Sequence, residues 1–223
     1  MNEIDFYFDF LSPFAYLAAT RVEALGTRHH RTINWRPFRL GVAVVKVMGL
    51  KPLMDTPLKG EYSIKDLARM ATLLGEQLAL PQVLPDPRPA GRLFYSAAPE
   101  HSARLAKALL RAQWAEGLDI ADTTVLIRIA SEAGLDPAAA CDALVNPATK
   151  EALSAATQAA IARGIFGSPT CAVGEELFWG TDRLWLLDQY LAAGERYQRL
   201  DPTTCVVLGF DQVHTVIGTD DHR

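Results

Sequence analysis

The alternation at residues 4–10 stops at a Ser-Pro pair, and that junction constrains the fold more than any other stretch. Ile4, Phe6, Phe8 and Phe10 are apolar, with Asp5, Tyr7 and Asp9 between them. Period two predicts a strand. Ser12 has the side chain of a helix N-cap, and Pro13 suits the first helical position. Phe14, Leu17, Ala18, Val22 and Leu25 then recur at helical spacing, with Gly26 as the stop. Residues 32–38, TINWRPF, read as a second strand.

Residues 42–48 suit either strand or helix. From about 62 to 163 the pattern is helical, with segments at 62–80, 100–116, 120–133, 137–145 and 148–163. PQVLPDPRP at 81–89 carries four prolines and reads as a loop. Asp122 and Asn146-Pro147 are start signals; Gly117 and Gly134 are stops. After Gly164 the period changes: Thr170–Val173 and Glu176–Trp179 read as a hairpin about Gly174, and Asp182–Ala193 as a last helix. The order β-α-β, helical block, β-β-α predicts a four-stranded sheet from the two ends of the chain, with the block inserted between them. The expected division is a sheet domain at 1–40 and 165–200, a helical insertion at 41–164 and a tail at 201–223.

Composition removes several function classes. The chain has 22 basic and 26 acidic side chains with no long run of one sign, so the clustered basic face needed for nucleic acid is missing. The start, MNEIDFYFDF, lacks the basic leader of a signal peptide. No stretch approaches the roughly 18 apolar residues of a membrane span. These features predict a cytoplasmic protein. Cys141, Cys171 and Cys205 are scattered and no CxxC occurs, so neither a dithiol centre nor a metal site is expected.

Three polar segments are candidates for chemistry. Ser12 caps a helix, or it holds an anion or thiolate at the helix N-terminus. It has no obvious His or Asp partner in the sequence, so a serine-hydrolase triad is poorly supported. Gly167-Ser168-Pro169-Thr170 enters the hairpin as an ordinary trans proline, or as a cis proline presenting the Ser168 backbone to a peptide-like ligand. Trp179-Gly180-Thr181-Asp182 caps the last helix, or receives a group bearing both an ammonium and a carboxylate. Lys46, with Val47 beside it, Lys59 and Tyr62 form a looser set. Trp35 and Trp114 read as core.

FYFDFLSPFAYLA at 6–18, WAEGLDI at 114–120 and GIFGSPTCAVGEELFWGTDRL at 164–184 together resemble the 2-hydroxychromene-2-carboxylate isomerases. These are relatives of the kappa-class glutathione transferases and, more distantly, of DsbA-like thiol oxidoreductases. The resemblance runs from about residue 3 to residue 193. It implies an α/β, thioredoxin-like fold with a large all-helical insertion, glutathione as cofactor, a small aromatic substrate and a homodimer. It makes Ser12 the serine that activates glutathione and Pro169 a cis-proline. Ser168 would pair with the cysteinyl backbone of glutathione, and Trp179, Gly180, Thr181 and Asp182 would receive its γ-glutamyl end. Lys46, Val47, Lys59 and Tyr62 are the implied substrate contacts. Two departures stand out: Ser168 replaces a common valine, and the loop at 84–92 lacks an asparagine frequent in relatives. The first leaves a backbone contact intact; the second bears on the substrate. The implied reaction is isomerisation of 2-hydroxychromene-2-carboxylate to trans-o-hydroxybenzylidenepyruvate in aromatic degradation. A glutathione transferase and a non-catalytic glutathione- or peptide-binding module are the alternatives. A thiol–disulfide oxidoreductase is disfavoured, because SPFA at 12–15 contains no cysteine.

Overall fold

Strand β1 (Glu3–Phe8) is buried on both faces, which requires covering layers on each side of the sheet. It runs parallel to β2 (Thr32–Pro37), with Phe6 opposite Trp35. It pairs antiparallel with β3 (Thr170–Val173), with Phe6 opposite Cys171, and β3 pairs with β4 (Glu176–Trp179). The sheet order is β2-β1-β3-β4. Ile4, Phe6 and Phe8 are fully buried on one face. There Trp35 meets Phe6 and Phe8 edge-on, and Phe94 meets Phe8. Each such side chain contributes about 1.5–3 kcal/mol by leaving water. On the other face Tyr7 packs with Phe38, Ala43, Ala160, Ile165 and Ala172.

The computed structural model describes residues 2–194. Helices α1 (Pro13–Ala19) and α2 (Val22–Arg28) follow β1. After β2 come a π-helical run at Val42–Val47 and a 3-10 turn at Leu53–Asp55. Then follow α3 (Lys59–Leu74), α4 (Arg88–Ser96), α5 (Pro99–Trp114), α6 (Thr123–Glu132), α7 (Pro137–Val145) and α8 (Pro147–Ala162). A 3-10 turn at Thr181–Arg183 leads into α9 (Leu184–Ala193). Of the described residues, 2–188 form one compact unit, and the end of α9 from Gln189 belongs to a second. The expected tail at 201–223, with Cys205, lies outside the described residues.

Several boundaries differ from the sequence reading. Strand β1 ends at Phe8, so Asp9 and Phe10 belong to the turn that follows, and both are buried there. The first helix breaks at Thr20-Arg21 and then continues through Gly26 to Arg28. Gly26 is there for close approach: a Cβ would sit 2.8 Å from the Arg31 carbonyl oxygen and from Ile33 Cδ1. The helix read to Leu80 stops at Leu74, where Gly75 caps it in the left-handed conformation. Helix α4 lies partly within the proline-rich stretch read as a loop. Pro89 falls in its first turn, where a proline has no hydrogen bond to lose.

Gly26→Ala is expected to destabilise the fold by about 1–3 kcal/mol, because backbone must shift to admit the methyl group. Gly41→Ala, at a helical φ of −59° with nothing within 4 Å of the new Cβ, is expected to be neutral or to stabilise by up to about 1 kcal/mol. Denaturant midpoints of the two variants beside the parent protein check both.

Candidate active site

The turn between β1 and α1 is held from four directions. The Ser12 N–H donates to the Asp9 carbonyl at 3.0 Å. Ser12 Oγ accepts from the Ala15 N–H at 3.1 Å, the N-cap contact. The buried Asp9 carboxylate accepts from the Leu11 N–H at 2.9 Å and from the Leu40 N–H at 2.6 Å. Trp114 Nε1 donates to the Phe10 carbonyl at 2.8 Å.

The remaining hold comes from the hairpin. The Ser168–Pro169 bond is cis. Ser168 Oγ accepts from the Asp9 N–H at 2.9 Å, and Ser12 Oγ donates to the Ser168 carbonyl at 3.0 Å. The Gly180 N–H donates to the Pro169 carbonyl at 2.9 Å, and Thr181 Oγ1 donates to the Phe14 carbonyl at 2.6 Å. Ser12, Ser168, Pro169, Gly180 and Thr181 are therefore linked by hydrogen bonds running through two short turns.

Glycine shapes this edge twice. Gly180 has φ +113°, and a Cβ there would meet Asp182 Oδ1 at 2.4 Å. At Gly167 a Cβ would strike Trp179 Nε1 at 2.0 Å, so the indole lies over this glycine. Trp179 is 52% exposed and packs edge-on against Phe166, with ring centroids 4.8 Å apart. Asp182 is exposed and pairs with Arg183 at 3.0 Å. Neither Gly180 nor Thr181 makes a side-chain cap; the threonine hydroxyl goes to Phe14 instead.

The Ser12 hydroxyl has one proton. The cap contact accepts a hydrogen bond and leaves that proton free. The Ser168 carbonyl takes it. The residue is 4% exposed, so the hydroxyl acts only on a group brought directly against it. Cys171, on β3, is no alternative nucleophile: burial pushes its thiol up to about 12, which keeps it protonated. Cys141 is exposed on α7. Among the described residues, no group of three or more His, Cys, Asp or Glu side chains is placed to hold a metal ion.

Lys46, Val47, Lys59 and Tyr62 are all exposed. Among the described residues, no hydrogen bond or ion pair links any of them to Ser12, Ser168 or Asp182; Tyr62 instead lies under the Arg69 guanidinium. Sequence reasoning missed Asp9, because its place in an alternating run made it look like the solvent side of a strand. An acid between two phenylalanines, three residues before a Ser-Pro cap, was the available signal.

A strand leading into a capped helix, a cis-proline hairpin beside it and helices inserted between them define a thioredoxin-type protein. Residues 3–192 match the family model described as the DSBA-like thioredoxin domain. The chain is 33% identical over 186 residues to a 2-hydroxychromene-2-carboxylate isomerase of Pseudomonas putida, covering 83% of this chain and 92% of that one. It is 26% identical over 220 residues to glutathione S-transferase kappa 1 of Rattus norvegicus, covering 90% and 95%. A solved 2-hydroxychromene-2-carboxylate isomerase superposes with a TM-score of 0.79 at 33% identity, covering 85% of this chain and 94% of that one. The chain belongs to the DSBA-like thioredoxin family and, within it, to the 2-hydroxychromene-2-carboxylate isomerases.

Burial holds the Asp9 carboxyl up at about 6, against the opposing pull of the Leu11 and Leu40 N–H groups and the Arg39 charge. An acid whose pKa is higher folded than unfolded binds its proton more tightly in the fold. Its contribution to stability therefore falls as pH rises from about 4 to about 6. The difference between 3.8 and about 6 corresponds to about 3 kcal/mol. Stability of the parent protein relative to Asp9→Asn should thus improve by up to about that amount between pH 7 and pH 4, read from urea denaturation at each pH.

Proposed function

We infer that the protein is an enzyme, a glutathione-dependent isomerase that converts 2-hydroxychromene-2-carboxylate to trans-o-hydroxybenzylidenepyruvate. The observation that carries this is the Ser12 hydroxyl, bonded to the carbonyl before a cis-proline, in a site whose own nearby thiol, Cys171, is buried and protonated. A site built this way has a thiolate's hydrogen-bond donor and must take its thiol from a ligand.

The residues present fit a γ-glutamyl peptide. The Ser168 backbone precedes a cis-proline and suits a peptide segment. The exposed Asp182 carboxylate suits an ammonium. The missing Cβ atoms at Gly167 and Gly180 keep Trp179 and Asp182 in place around them. In this reading Ser168, Pro169, Trp179, Gly180, Thr181 and Asp182 hold glutathione. When bound, glutathione supplies a thiol whose thiolate adds reversibly to a conjugated C=C bond, making it a single bond that rotates. Ser12 lowers the thiol pKa by donating its proton there. A peptide N–H that engages the Ser168 carbonyl relieves that carbonyl of Ser12, so binding and activation are coupled through one hydroxyl. Lys46, with Val47, Lys59 and Tyr62, is assigned to the substrate, the lysines facing its carboxylate. The same reading places the enzyme in the cytoplasm as a homodimer, with residues 41–164 as the insertion. Exposed apolar side chains at Val45, Val47, Leu50, Leu53 and Leu58 support an interface there.

A kappa-type glutathione transferase is the second reading, favoured by the similarity to the rat protein. Product analysis separates the two, since a transferase releases a conjugate and an isomerase returns glutathione unchanged.

Turnover of the chromene acid is expected only when glutathione is present; equal rates without it would overturn the reading. Ser12→Ala should cut kcat at neutral pH by roughly 10–100-fold, the loss of a charge-assisted hydrogen bond. Activity should recover partly as pH nears about 8.5, the range of a free thiol. Thiolate absorbance of bound glutathione should titrate at higher pH in Ser12→Ala than in the parent. Coincident curves would remove Ser12 from thiol activation.

A further inference from the structure

Among the described residues, Asp9 is the only buried acid, at 3% exposed. All of its polar groups are used. Its N–H donates to the Ser168 hydroxyl, and its carbonyl accepts from the Ser12 N–H. Oδ1 accepts from the Leu11 N–H and Oδ2 from the Leu40 N–H. The Leu11 contact is an Asx turn, which a neutral asparagine closes equally well. Adding the Leu40 contact changes the requirement, because both carboxyl oxygens must then accept at once. In an amide one of those positions is an NH₂ group, which would face an N–H donor against donor. In a protonated acid one oxygen bears the proton and accepts poorly. Only the ionised form serves both contacts fully, and its burial carries a desolvation cost that a neutral residue would avoid.

The backbone around Leu40 is anchored independently. The Phe38 N–H donates to the Phe8 carbonyl at 2.9 Å, and the Arg39 N–H to Thr157 Oγ1 on α8 at 3.1 Å. The carboxylate therefore ties the turn that carries Ser12 to backbone already fixed on the sheet and on α8. Ser12 feels that tie through a single residue. Its N–H is held by the Asp9 carbonyl, and its Oγ lies between the Ala15 N–H and the Ser168 carbonyl. The charged group set against the carboxylate is Arg39. The other neighbouring elements present neutral groups: Ser168 from the hairpin, Ser12 at the start of α1 and Trp114 from α5. Burial holds the carboxyl up at about 6, so it changes charge close to neutrality.

We propose that Asp9 is a positioning residue for Ser12: its ionised carboxylate, by bridging Leu11 and Leu40, holds the serine hydroxyl where it serves a ligand thiolate, and protonation releases it. This rests on the reading of Ser12 as the group that activates glutathione, and the two are tested apart. Without glutathione, amide hydrogen exchange of the Ser12 and Ala15 N–H groups is followed by NMR in the full-length protein, relative to the Phe6 N–H within β1. That relative protection should fall roughly fivefold from pH 7 to pH 5, the difference between a charged and a neutral acceptor. In Asp9→Asn it should not change with pH. Unchanged relative protection in the parent protein would overturn the proposal, whatever glutathione does. With glutathione, the thiolate absorbance of the bound cofactor is titrated. A nearby negative charge raises a thiol pKa, so Asp9 acting as a bare charge predicts a lower midpoint in Asp9→Asn. Acting through Ser12 predicts a higher one, by no more than Ser12→Ala produces. The double variant should then coincide with Ser12→Ala. A lower midpoint in Asp9→Asn, or a further shift in the double variant, would also overturn the proposal. A Ser12→Ala midpoint equal to the parent's removes the reading of Ser12 instead, and the exchange experiment still decides for Asp9. If Asp9→Asn does not fold, the parent protein's own exchange between pH 7 and pH 5 decides alone.

Discussion

The two hydrogen bonds between Ser168 and the turn at Asp9–Ser12 hold the functional end of this molecule together. One runs from the Asp9 backbone to the Ser168 hydroxyl, the other from the Ser12 hydroxyl to the Ser168 carbonyl. They join residues 159 and 156 positions apart. Sheet pairing of β1 with β3 brings the partners into register. Beyond the last paired residues, these two bonds, together with the Thr181 hydroxyl on the Phe14 carbonyl, set how the cis-proline faces the start of α1. The segment after β2 joins at the same place through Leu40 on the Asp9 carboxylate, and the helical block through Trp114 on the Phe10 carbonyl. A single turn of four residues thus reports on three parts of the chain.

Much of this was legible because local rules agreed with the fold. A Ser-Pro pair after an alternating run gave the cap and first helical position, and both are found. The hairpin about Gly174 has the residues expected of it. Asp122 and Asn146 cap the helices they precede. What stayed hidden was long-range. Whether Asp9 faces water depends on where β1 stops, and β1 stops where its partners do. Gly26 reads as a helix stop until β2 is laid against it and the missing Cβ becomes a packing requirement.

The cysteines show how position outranks residue type. Cys171 lies two residues beyond the cis-proline, close in sequence to the chemistry. Yet it faces inward on β3, opposite Phe6 and Phe178, and its thiol is held protonated by burial. The residue at the mouth of the turn is a serine, which cannot form a disulfide but can donate a hydrogen bond. Redox exchange needs a thiolate in the protein; a hydroxyl here suits a thiolate that arrives on a ligand.

The serine at 168 follows the same logic. The part proposed for it toward a peptide ligand runs through the backbone, so its side chain is free for another task. In this chain that task is to accept the Asp9 N–H. A valine would have no acceptor to offer, and that buried donor would need another partner. The Ser168 hydroxyl therefore stiffens the turn from the hairpin side. It leaves the Ser168 carbonyl, the group that competes for the Ser12 proton, on a more firmly fixed backbone. Under the proposed glutathione reading, how readily that proton passes from carbonyl to thiolate would then be set by the ligand's own N–H, because the protein side of the exchange is held still.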